Sequence, residues 1–137
     1  MPERRPEHWL YRLTADEWLR AADKELDLSR ASFVQKNQRA AVAYARRAAG
    51  MALNAVLWHR EDPSYGRSYM DHLAALQEDP AAPAEVRAAA AALRQLPTAL
   101  PFVVLGKGDP AQAEPAERVV RYARDLLVTL LVTVLRK

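Results

Sequence analysis

Apolar residues return along this chain at helical intervals, and no segment alternates convincingly as a strand would. Ala15, Leu19, Ala22 and Leu26 follow a 4-3-4 spacing with Trp18 beside them, which draws one core-facing side of a helix. Just ahead, "TADE" sets Thr14 at the capping position and Glu17 three residues on, the pair that makes a capping box, so a first helix is expected from there to about Ser29. A second is expected from about Phe33 to His59. At about 100° per residue, Val34, Ala41, Ala45, Ala48, Ala52, Ala55 and Val56 fall on one side, while Lys36, Arg39, Arg46, Arg47 and Asn54 fall on the other. Alanine dominates the apolar side, so a neighbouring helix can approach closely.

"EDPSYG" at 61 to 66 reads as a turn, because Pro63 cannot continue a helix and Gly66 supplies backbone freedom. A short third helix follows, with Ser68 and Asp71 as its cap, Tyr69, Leu73 and Leu76 as its face, and Asp79-Pro80 as its end. The fourth, about Ala84 to Leu96, carries Val86, Ala90, Leu93 and Leu96 and is stopped by Pro97. Between 97 and 115 the chain is not helical, yet Phe102 to Leu105 are too apolar for a loose linker, so an ordered connection is expected. The fifth helix, about Ala116 to Arg136, is apolar on nearly every side in its C-terminal half and needs cover from its own bundle and from a second subunit. Leu127, Leu130, Leu131 and Val134 are the expected dimer contacts. The pattern as a whole predicts an all-α, antiparallel bundle of about five helices, one domain over 1–137 with its core between about 9 and 136.

A chain of 137 residues is long enough to bury one core without metal or disulfide support. With no cysteine, thiolate metal sites and cysteine nucleophiles are excluded, and a reducing cytoplasm is the expected setting. The charged, proline-bearing start "MPERRPEHWLYR" lacks the apolar run of a secretory signal. "LLVTLLVTVL" at 126 to 135 is about half the length a membrane span requires, so no membrane partner is expected. The net charge is only +3, but it is unevenly placed: from Leu28 to Arg60 there are six basic residues and no acid. Lys36, Arg39, Arg46 and Arg47 are therefore the candidate nucleic-acid contacts, with a basic solvated face as the plain alternative.

"FVQKNQRAAVAYARRAAGMALNAVL" at 33 to 57 resembles the second helix of HEPN domains, small helical bundles in which a glutamine-bearing start runs into an alanine-rich face and a leucine-rich end. The order of elements is similar as well. "DHL" at 71 to 73 resembles the opening of the family's short helix, and "AERVVRYARDLLVTLLVTVL" its final helix, so the likeness spans roughly Trp9 to Arg136. Two departures stand out: Gly50-Met51 where many members carry Glu-Lys, and "LPFVVLGKG" where an Arg-Tyr-Pro is common. The resemblance implies a dimer with one of two functions. One branch of the family cuts RNA without metal, as toxins do, through an Arg and a His four to six residues apart. The other has lost that pair and binds a companion nucleotidyltransferase, a nucleotide or RNA.

Arg67 and His72 fit the catalytic formula, with four residues between them. Arg can stabilise charge developing on a phosphate, and His can move protons near neutral pH. In so arginine-rich a chain, however, a pair at one of three permitted spacings arises about once by chance. The pair also opens the third helix rather than a later one, and Ser68 follows the Arg where Asn, Asp or His is usual. The alternative is an exposed Arg67 and a His72 packed beside Leu73. The expectation is thus a HEPN-like dimeric binding or regulatory module without ribonuclease activity, ahead of a ribonuclease using Arg67 and His72 and of a generic helical adaptor. "GKGD" at 106 to 109 lacks the spacing of a phosphate loop, and His59, His72, Asp62 and Asp71 lack metal-ligand spacing, so no cofactor is expected. Trp9, Trp18, Trp58, Tyr11 and Tyr65 read as lids on the core before they read as a ligand pocket.

Overall fold

The computed structural model describes residues 9–98 and 108–135, with side chains for 10–98 and 108–132. Among them are five α-helices and no strand: α1 (Ala15–Val34), α2 (Gln38–His59), α3 (Tyr69–Glu78), α4 (Ala84–Gln95) and α5 (Glu114–Leu135). Short 3-10 turns occupy Trp9–Arg12, Pro63–Tyr65 and Pro110–Ala113. The expected all-α bundle of five helices is what the chain forms. No helix among the described residues is long and apolar enough to cross a membrane.

The capping box at the start of α1 is present: the Thr14 hydroxyl accepts Glu17 N–H at 3.1 Å, and the Glu17 carboxylate accepts Thr14 N–H at 3.0 Å. The boundary after it differs from expectation. Helix α1 does not stop near Ser29 but continues to Val34, and α2 begins at Gln38 rather than Phe33. "LSRASFV" contains no breaker, and the Ser29 hydroxyl, which as a local signal favours a helix end, is buried and donates instead to the Ala41 carbonyl of α2 at 2.7 Å. The reversal falls at Lys36, a left-handed residue with φ 59° that no glycine advertises. Asn37 then caps α2, its side chain accepting Ala40 N–H at 3.4 Å. Val34 and Lys36 therefore lie outside α2. Gly108 closes on this same corner, donating its N–H to the Val34 carbonyl at 3.0 Å, and a Cβ on it would collide with the Phe33 carbonyl. Residues 99–107 of the expected ordered connection, including Phe102 to Leu105, lie outside the described residues, and its far end is a 3-10 turn at Pro110–Ala113 that runs into α5 at Glu114 rather than Ala116.

Contacts between helices give the direction of each. Ser29 meets Ala41 and Glu25 meets Arg47, so α1 and α2 form an antiparallel hairpin. Arg30 meets Glu117 and Asp23 meets Arg124, so α5 runs antiparallel to α1. Helix α4 is antiparallel to α2, with Gln38 at Pro97 and Arg46 at Leu93. Tyr69 against Gly50 and His72 against Asn54 make α3 run in the same sense as α2.

Helix α2 is the centre of the bundle. Ala41, Ala45, Ala48, Ala49, Ala52 and Ala55 are all buried, and their small side chains let the neighbouring helices lie close enough for many weak dispersion contacts to add up. Leu10, Trp18, Leu73, Leu76, Leu93 and Val119 complete the core. Trp18 is a lid, as expected, its indole N–H donating to the Leu10 carbonyl at 2.9 Å, while Trp58 is half-buried and meets Tyr11 edge to face. The all-round apolarity of α5 divides in two. Ala116, Val119, Val120, Ala123 and Leu127 form the inward stripe, while Val128, Leu131 and Val132 face outward.

Candidate functional site around His72

Ser68 and Asp71 set the first turn of α3. The Ser68 hydroxyl accepts Asp71 N–H at 3.0 Å, and the Asp71 carboxylate accepts Ser68 N–H at 3.4 Å. His72, the next residue, is thereby directed into the interior and is 0% exposed. Its Nδ1 lies 2.7 Å from the Tyr65 carbonyl, and its Nε2 lies 2.7 Å from the side-chain amide of Asn54. A carbonyl only accepts, so the ring proton sits on Nδ1 and donates to Tyr65. Nε2 faces the Asn54 Oδ1, which also only accepts, so both ring nitrogens meet acceptor oxygens as placed; the amide rotated end for end offers its NH2 to Nε2 of a neutral ring. Burial pushes the ring's pKa below the ordinary histidine value; the bond to Tyr65 and the charge of Asp71 pull the other way and are the smaller effects. The Tyr69 ring meets His72 edge to face at 6.3 Å, and Tyr65 flanks it at 6.5 Å. Tyr65 is itself held through its hydroxyl, which donates to Asp79 at 2.7 Å, and burial followed by that carboxylate raises the phenol's pKa.

Arg67 stands apart from this cluster. It is exposed, precedes the cap, and lines an open cleft of about 340 Å³ with Leu10, Leu57, Glu61, Asp62, Pro63 and Gly66. His72 is not part of that cleft. The Arg67–His72 pair read from the sequence is therefore not brought to one accessible place within the chain: the two residues belong to opposite sides of the capping turn, and the imidazole faces the core.

The four basic residues do not form one continuous stripe either. Lys36 lies in the α1–α2 turn, off the helix. Arg46 reaches over the end of α4, where Nε–H donates to Leu93 O at 2.9 Å and Nη2 donates to Arg94 O at 3.2 Å and Leu96 O at 3.3 Å. Those carbonyls lack helical partners, and a cation suits the negative end of the helix dipole. Arg47, about 100° further round α2, pairs with Glu25 at 3.0 Å. Arg39 is exposed on α2.

Of the expected dimer contacts, Leu127 belongs to the core, because it continues the inward stripe of α5 by one more turn. Leu130 is half-buried, Leu131 is 48% exposed, and Val134 lies outside the described side chains. Val128 at 57% and Val132 at 41% join Leu131 on the outer face and were not foreseen. Their spacing of three and four residues marked them as neighbours once Leu127 was placed inward. Asn54 was also misplaced: expected on the polar side of α2, it is 1% exposed and bonds His72. An asparagine enclosed by "MAL" and "AVL" was the signal for a buried polar partner. No family model matches this chain, and neither a curated protein nor a solved structure matches it.

Proposed function

We propose that the chain is a HEPN-like helical module that acts by binding, as a homodimer assembled through the outer face of α5, and that it does not cut RNA. One observation carries this reading: the imidazole of His72 is enclosed, with Nδ1 engaged by Tyr65 and Nε2 by Asn54. A general acid or base must come within hydrogen-bond reach of the proton it moves. Neither nitrogen of His72 does so in the folded chain, and a second copy docked on α5 uncovers neither. A capped short helix with Asp71-His72-Leu73 near its start and the order of the five helices support the family resemblance. The exposed Val128, Leu131 and Val132 support the second subunit. Among the partner classes the resemblance implies, a protein such as a nucleotidyltransferase is favoured over RNA, since Arg46 and Arg47 already serve α4 and α1.

The test is cleavage of structured and unstructured RNA in EDTA by wild type, Arg67→Ala and His72→Gln, each first shown to be folded. All three are expected to be inert. Cleavage by wild type that both folded variants lose would reverse the assignment in favour of the ribonuclease.

A further inference from the structure

We draw no further inference here: the strongest candidate, the open cleft of about 590 Å³ between the 63–65 turn and α3 that Asp62, Asp71, Glu78 and Asp79 line, carries nothing, because Asp62, Asp71 and Asp79 are already engaged by Ser64, Ser68 and Tyr65 and nothing in the structure shows what would occupy it.

Discussion

Gly50 is the point at which α3 touches α2 most closely. A Cβ there would fall on the Tyr69 ring, which gives a local reason for the glycine. Gly50→Ala is expected to cost about 1–3 kcal/mol in urea unfolding through overpacking. In a Tyr69→Ala background the same change should be neutral or stabilising by up to about 1 kcal/mol, because alanine is the better helix former. An equal loss in both backgrounds would show that the ring is not the obstacle. At this scale the sequence identified His72 as the residue to explain, and its alternative as a packed histidine beside Leu73 fits the structure. It did not reveal Asn54 as the partner, since helical periodicity places a lone polar residue on the solvent side by default.

Among the elements, the capped starts of α1 and α3 were legible locally, whereas the start of α2 and the cover of the last carbonyls of α4 were not. Thr14 with Glu17 and Ser68 with Asp71 form the two capping boxes that their spacing predicts, because a cap is made by residues three apart in the chain. The end of α4 is different. "LRQLP" offers no glycine, and the cover for its last carbonyls comes from Arg46, almost fifty positions earlier. Arg46→Ala is expected to destabilise the protein by about 1–3 kcal/mol, the range for charge-assisted bonds to otherwise unsatisfied groups. Arg39→Ala, on the same side of α2 and exposed, should change stability by less than about 0.5 kcal/mol. Chemical denaturation of the two variants compares the roles, and equal effects would remove the capping assignment.

For the whole molecule the test is association. Leu131→Glu on the outer face of α5 is expected to give a folded monomer in sedimentation at concentrations where wild type sediments as a dimer. Leu127→Ala, on the inner stripe, should lower stability by about 2–5 kcal/mol and leave association intact. A wild type that stays monomeric at high micromolar concentration would sink the dimer, and a Leu131→Glu protein that still pairs would move the interface elsewhere. Such an interface should bury more than about 1,000 Å² in total.

The number of helices, the capped starts of α1 and α3 and the alanine-rich side of α2 were determined by the sequence alone. Hydrophobic period and capping are relations between residues one turn apart, and no distant contact is needed to read them. Tertiary structure alone decided the rest. The α1–α2 reversal lies at Lys36 because Ser29 bonds across to Ala41; Arg46 serves a helix far along the chain; and α5 is divided into inner and outer faces by the helices that cover it. The site followed the same division. His72 was visible as chemistry, but whether its ring meets water or the core depended on Asn54 and Tyr65, which share no local pattern with it and come together only when α2, the turn and α3 pack.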